Sequence, residues 1–179
     1  MISNELLEQF KPWLISVAKV GSSVLPWIDN PRDTDYIFVV ENNRLPKKSI
    51  ELRKHQPSNE CWLIVPLERS LTMVGVYQYH WLEPIFGDTF PKYDIFEHLE
   101  EYKESLVSRA LGSIYEPKYK HWYHILTGIY LIENGKYELT EEQAANVRLC
   151  HDRQMTQEIY EYIQETLKRY AAASDNPIQ

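Results

Sequence analysis

The hydrophobic pattern of the chain changes near residue 90, and this change constrains the fold more than any other feature. Before it, apolar residues form short runs rich in β-branched and aromatic side chains, as at residues 15–20 and 36–40. Such runs are typical of buried β-strands. After it, apolar residues recur every three or four positions, as on one face of an α-helix. The sequence therefore predicts an α/β half followed by an α-helical half.

The first half, residues 1–90, is predicted to form an α/β core. Ser3 and Asn4 are expected to cap a first helix, and residues 67–77 favour a second helix. Residues 50–54 are too short to assign. Strands are predicted at residues 15–20, 36–40, 60–65 and 81–87.

The second half, residues 91–172, is predicted to be helical, and residues 173–179 are expected to form a flexible tail. Thr140 and Gln143 have the spacing of a capping box, and Gly135 lies where a glycine should end the preceding helix. Helices are predicted over residues 95–110, 119–132, 140–150 and 155–170.

Composition narrows the class of protein. The chain has 179 residues, 44% of them apolar, so we expect a folded protein. Its formal charge of −7 argues against a broad positively charged surface that binds nucleic acid. Cys61 and Cys150 are far apart and predict neither a zinc site nor a disulfide framework. No signal peptide or membrane-spanning run is recognised, so no membrane partner and a cytoplasmic location are expected. The oligomeric state is left open.

Two carboxylates two residues apart, Asp33 and Asp35, lie at the start of the apolar run 36–40. Alternation along a strand that begins at or just before them would place both on one face of the sheet. Two like charges held so close repel unless a cation lies between them. Oxygen ligands of this kind suit Mg²⁺, which takes one or two protein carboxylates and fills its other positions with water and phosphate oxygens.

A Gly-Ser turn follows the apolar run 15–20. Gly21, Ser22 and Ser23 offer backbone N–H groups that no large side chain obstructs, together with two hydroxyl donors. These groups can hold an anion such as a phosphate. The alternative interpretation is structural: residues 30–33, Asn-Pro-Arg-Asp, form only a turn, and Asp33 and Asp35 are solvated residues beside an ordinary strand.

The turn and the acidic pair together resemble the polymerase-β-type nucleotidyltransferases. In this sequence a hydrophobic residue and Gly-Ser are separated by ten residues from Asp-x-Asp and a hydrophobic run. The resemblance implies that Gly21, Ser22 and Ser23 bind the phosphates of a nucleoside triphosphate (NTP), while Asp33 and Asp35 bind Mg²⁺ or Mn²⁺. It also implies a mixed sheet with flanking helices, followed by a C-terminal helical bundle.

A third acidic ligand is expected on a neighbouring strand, because two metal ions about 3.5–4 Å apart need more than two carboxylates. Glu60, which opens the run 60–65, is the candidate, and Glu51 is the alternative. The superfamily more often shows an aspartate at this place. Glu60 can equally be read as an exposed glutamate at a strand edge.

The helical half carries a second group of candidate residues. Lys120 and His124 are four residues apart, and a Tyr-His pair and the segment 131–139 follow the lysine. This arrangement resembles the C-terminal region of a family of predicted nucleotidyltransferases in the same superfamily, which implies that Lys120 and His124 support the triphosphate. That family tends to show an arginine where this chain has Thr127. The alternative interpretation is that the lysine and histidine form only the solvated side of a helix.

The remaining features exclude several kinds of site. The other histidines have no spacing typical of a transition-metal site and are expected to be surface or half-buried residues; they are His55, His80, His98 and His151. No dinucleotide-binding, Walker A, serine-hydrolase or zinc-protease motif is present.

Two functions follow as hypotheses. The first is a metal-dependent nucleotidyltransferase that moves a nucleoside monophosphate from an NTP to a hydroxyl of an RNA end, a protein or a small molecule. The second is a nucleotidyltransferase-like binding or regulatory module without turnover, such as a nucleotide sensor or an antitoxin-like partner. Thr127 and the acidic composition favour the second hypothesis.

Overall fold

The computed structural model describes residues 8, 10–45, 51–55, 59–70, 81–91, 93–111 and 122–174, with backbone only for 51–55 and 174. The chain divides into two compact units, residues 1–93 and 94–179. The predicted boundary, between residues 90 and 91, lies close to this division. Each unit is described by itself below.

The first unit contains a five-stranded mixed sheet with the order β3-β4-β2-β1-β5. Strand β2 pairs antiparallel with β1 and parallel with β4, while β3 and β5 form the antiparallel edges. A four-residue helix, α1, follows β4. The strands and this helix are β1 (Leu14–Val20), β2 (Thr34–Val40), β3 (Glu51–His55), β4 (Glu60–Pro66), α1 (Leu67–Ser70) and β5 (Glu83–Phe86).

The predicted strands at residues 15–20, 36–40, 60–65 and 81–87 are confirmed as β1, β2, β4 and β5. Strand β3 covers most of the run 50–54, which the sequence pattern left unassigned. Helix α1 contains the first four residues of the helix predicted over 67–77, and the Ser3–Asn4 cap and residues 71–80 lie outside the described residues.

The sheet is apolar on both faces, so its central strands are almost continuously hydrophobic. We name the two faces after one residue in each. The Trp62 face holds the buried side chains Phe10, Val17, Tyr36, Phe38, Val40, Leu45, Trp62 and Ile64. The Ile37 face holds Ala18, Val20, Ile37, Leu63, Val65 and Phe90.

The described residues of the second unit form four helices, which confirms the predicted helical half. The last helix extends to Ser174, so it includes two residues that the sequence assigned to a flexible tail. Within the described ranges, no helix combines the length and apolarity needed to cross a membrane. The helices are α2 (Leu99–Leu111), α3 (Trp122–Asn134), α4 (Glu141–His151) and α5 (Gln157–Ser174).

The start of α4 is fixed by the predicted capping box. The Thr140 hydroxyl accepts a hydrogen bond from the Gln143 backbone N–H at 3.2 Å, and the Gln143 side chain accepts one from the Thr140 N–H at 2.9 Å. Gly135, which directly follows α3, has a φ of 62°, as expected for a glycine at a helix C-terminus.

We expect Thr140→Ala to lower the free energy of unfolding by about 1 kcal/mol, because one N–H at the start of α4 loses its acceptor. Thr140→Ser should retain most of the stability, since it keeps the hydroxyl. Chemical denaturation of both variants measures the difference. Equal loss in the serine and alanine variants would contradict the capping role.

Candidate functional site

The pairing of β1 with β2 brings the Gly-Ser turn to the acidic pair. The antiparallel register places Val20 opposite Asp35, and a short 3₁₀ turn, Gly21–Val24, begins directly after Val20. Asp33 immediately precedes β2, and Asp35 is its second residue. The two motifs, ten residues apart in the sequence, therefore meet at one end of the sheet.

Gly21 lies directly against the Asp35 side chain. A Cβ built on Gly21 would overlap Asp35 Oδ2 and lie 3.0 Å from Asp35 Cγ. Gly21 also has a φ of 72°, a left-handed conformation that residues with a Cβ rarely adopt. A glycine is therefore required at position 21 both by its backbone conformation and by the carboxylate beside it.

The two serines of the turn have different roles. The Ser23 hydroxyl donates to the Val20 carbonyl at 3.0 Å, so it stabilises the turn itself. Ser22 is only 2% exposed. Of the two predicted hydroxyl donors, the one on Ser23 is therefore already bonded within the turn.

Hydrogen bonds from the residue before β4 hold the start of β2 in place. The Thr34 N–H donates to the Asn59 carbonyl at 3.1 Å, and the Asn59 side-chain amide donates to the Arg32 carbonyl. Asn59 has a φ of 52°, a conformation that asparagine tolerates better than most residues. Asp33 is thus bracketed by two residues whose backbone is fixed to the neighbouring strand.

Glu60 does not share a face with Asp35, so its prediction as the third metal ligand is wrong. The parallel register places Glu60 beside Thr34, one position out of step with Asp35. Its carboxylate lies on the Trp62 face, where Glu60 Oε2 accepts a hydrogen bond from Trp62 Nε1 at 3.2 Å. Glu60 is also only 4% exposed, so it is not the exposed edge residue of the alternative interpretation.

Glu60 instead belongs to a polar group at the edge of the Trp62 face. Burial raises the pKa of Tyr36, and the carboxylates of Glu60 and Glu83 raise it further. Lys19 Nζ lies 3.7 Å from Glu83 Oε2. These contacts give Glu60 a structural environment that does not involve the Gly-Ser turn.

Glu51, the alternative third ligand, has only its backbone described. It pairs with Ile64, four residues further along β4 than Glu60, which places it well away from the Asp35 end of the sheet. Within the described residues, no three His, Cys, Asp or Glu side chains are grouped so as to hold a metal ion. Asp33 and Asp35 therefore remain the acidic residues of this site.

The proposed triphosphate support in the second unit is described only in part. Lys120 lies outside the described residues. His124 is in α3, is 6% exposed and packs against the Tyr123 ring with centroids 4.0 Å apart. It is therefore not on the solvated side of a helix. Thr127 is fully buried, and its hydroxyl donates to the Tyr123 carbonyl at 2.7 Å.

His151 was expected at the surface or half-buried, and this expectation is wrong. It is 4% exposed, its ring packs at nearly a right angle to the Tyr123 ring with centroids 5.1 Å apart, and its Nδ1 lies 3.0 Å from Asp152 Oδ1. Its burial could have been predicted, since it follows Val147 by four residues and Ala144 by seven, the spacing of one helix face.

The arrangement at the Asp35 end of the sheet is suited to binding an anion and a cation together. An anion at the Gly-Ser turn would lie beside the Asp35 carboxylate, and two negative groups at that separation repel unless a cation lies between them.

We found no protein-family model and no curated protein that matches the chain.

Proposed function

We propose that the protein is a nucleotidyltransferase-type protein that binds an NTP with Mg²⁺ or Mn²⁺ and transfers a nucleoside monophosphate to a hydroxyl acceptor. The observation that carries the proposal is the contact between Gly21 and Asp35. It unites the phosphate-binding turn and the acidic pair at one place, as the resemblance to polymerase-β-type nucleotidyltransferases requires. An ordinary strand flanked by solvated aspartates does not require such a contact.

The side chains at this site fit a hard divalent cation. Asp33 and Asp35 would hold it through carboxylate oxygens, and Mg²⁺ commonly takes only one or two protein carboxylates beside phosphate oxygens. When bound, the cation would neutralise part of the negative charge on the phosphates. Asp35 is held in place by its strand and by Gly21, so little reorganisation is needed on binding.

The residues of the turn would position the triphosphate for transfer. The absence of a side chain at Gly21 leaves room for the Asp35 carboxylate, and the backbone N–H groups of the turn and the Ser22 hydroxyl can donate to phosphate oxygens. In the reaction the acceptor hydroxyl gives up its proton to solvent and its oxygen forms a bond to the α-phosphorus, while the bond from that phosphorus to the α,β-bridging oxygen breaks and pyrophosphate leaves.

We expect Ser22→Ala to weaken NTP binding by about 1–2 kcal/mol, the size of a hydrogen bond to a charged group. Isothermal titration with a non-hydrolysable NTP analogue and Mg²⁺ measures the effect. Ser105→Ala is a suitable control, because the Ser105 hydroxyl donates within its own helix, to the Tyr102 carbonyl at 2.7 Å. Equal affinities of the wild type and the Ser22 variant would mean that the turn has no ligand-binding role.

The second candidate function is NTP binding without transfer, as in a nucleotide sensor or an antitoxin-like module. The orientation of Glu60 favours it, because the described residues then supply two carboxylates, and two metal ions need more. The geometry therefore supports nucleotide binding more directly than transfer.

One experiment separates the two candidates. The protein is incubated with each labelled NTP and Mg²⁺ or Mn²⁺, against tRNA, total RNA, protein and small hydroxyl acceptors. Label transfer with release of pyrophosphate supports the nucleotidyltransferase. Saturable binding of the NTP without pyrophosphate supports the sensor, and a lack of binding to all four NTPs contradicts both.

A further inference from the structure

The residue beside Asp35 on the neighbouring strand is Cys61. The parallel register pairs Asp35 with Cys61 and Ile37 with Leu63, and it continues without a shift from Thr34 to Val40. Adjacent strands lie about 4.8 Å apart, so residues paired in this way are close neighbours. Cys61 therefore occupies the place predicted for Glu60.

Cys61 and Asp35 also lie on the same face of the sheet. Cys61 precedes Leu63 by two residues and Asp35 precedes Ile37 by two, and both hydrophobic residues are on the Ile37 face. Cys61 is partly exposed, whereas Leu63 and Ile37 are buried. Cys61 thus lies beside Asp35 on this face of the sheet.

We propose that position 61 is the third position of the metal site, and that the cysteine there restricts the site to a single Mg²⁺. This inference rests on the proposed function. A thiol is a soft ligand, and Mg²⁺ prefers hard oxygen ligands, so Cys61 lines the site without contributing a ligand to Mg²⁺. A carboxylate at the same position would face the same side as Asp35 and supply the missing oxygen ligands.

The test compares Cys61→Asp with Cys61→Asn, which has the same shape and no charge. In the presence of a non-hydrolysable ATP analogue, we expect the Asp variant to bind Mg²⁺ about tenfold more tightly than the Asn variant, because affinity rises with the number of charged ligands. Titration with Mn²⁺ followed by electron paramagnetic resonance should show one ion per wild-type chain and two per Asp variant.

The outcomes distinguish this inference from the proposed function. Equal Mg²⁺ affinity in the folded Asp and Asn variants would overturn the assignment of position 61 while leaving NTP binding by the wild type intact. If wild-type binding of Mg²⁺ and the analogue does not depend on Asp33 and Asp35, the proposed function itself fails.

A second measurement uses the unaltered protein and does not depend on the folding of a variant. Of the two cysteines, Cys150 is 2% exposed, and burial raises the pKa of its thiol to about 12, so it should react slowly with iodoacetamide. We expect Cys61 to be alkylated, and Mg²⁺ with ATP to slow this about tenfold through occupation of the site. Alkylation of Cys61 at the same rate under saturating Mg²⁺ and ATP would contradict its position in the site.

Discussion

Replacing both Asp33 and Asp35 by asparagine is expected to abolish NTP-dependent binding of Mg²⁺ and any nucleotidyl transfer. The double variant keeps the shape of both side chains and removes the charges that hold the cation, so Mg²⁺ affinity should fall about 100-fold or more. Isothermal titration of Mg²⁺ with a non-hydrolysable NTP, together with a pyrophosphate assay, measures both effects. Undiminished binding or transfer would refute the metal assignment.

The fold of this double variant should persist. Asp33 and Asp35 are only partly buried and lie at the end of β2, outside the hydrophobic clusters of the sheet. We expect the free energy of unfolding to fall by no more than about 1 kcal/mol, and relief of charge repulsion can raise it. Thermal unfolding of the variant separates a lost site from a lost fold.

Glu60→Gln is the matched control for the acidic pair. Glu60 is also a carboxylate at the same end of the sheet, but it lies on the Trp62 face and accepts its hydrogen bond from Trp62. Its replacement should leave the Mg²⁺ affinity of the NTP complex within about twofold of the wild type. Because Glu60 is buried, we also expect the free energy of unfolding to fall. A loss of Mg²⁺ affinity as large as that of the Asp33 and Asp35 variant would restore Glu60 as a ligand.

Gly21→Ala is expected to damage both stability and binding. The new Cβ would overlap Asp35 Oδ2, and alanine would have to adopt a φ of 72°. We expect the free energy of unfolding to fall by about 2–3 kcal/mol, which combines the cost of the left-handed conformation with displacement of a packed side chain. Because the carboxylate of Asp35 must move, Mg²⁺ affinity should fall at least about tenfold.

Gly135→Ala separates the cost of the left-handed φ from the cost of displacing the Asp35 side chain. Gly135 also has a positive φ, 62°, but a Cβ built there meets no atom within 4 Å. Its replacement should cost about 1 kcal/mol of stability and leave Mg²⁺ and NTP binding unchanged. If both alanine variants lose the same stability and neither loses binding, the contact between Gly21 and Asp35 has no functional role.

The sequence by itself predicted the local structure of most of the described chain. Short β-branched runs predicted four strands, residues spaced by three or four predicted the helices of the second unit, and Thr140 with Gln143 predicted a helix start. These features depend on neighbours within a few positions, so the pattern of one segment contains the necessary information. The meeting of Gly21 with Asp35 was also predictable, because the two motifs lie at the facing ends of consecutive strands.

Only the tertiary structure decided which residue of β4 lies beside Asp35. Glu60 and Cys61 are adjacent in the sequence, and both open the same strand. The side chains of a strand alternate between faces, so a difference of one position in the register exchanges one residue for the other. The register is fixed by the pairing of Ile37 with Leu63 and of Phe38 with Ile64, whose side chains fill the two faces of the sheet.

The pairing of distant segments also decided the features that the sequence pattern left open. Residues 51–55 form an edge strand because β4 offers them a partner, and a run of five residues carries too little periodicity to indicate a strand alone. The identity of the β4 residue beside Asp35 depends on packing between segments that are far apart in the chain. For this reason the sequence identified Gly21, Asp33 and Asp35 as candidates, whereas the tertiary structure placed Cys61 beside Asp35 and turned Glu60 to the other face.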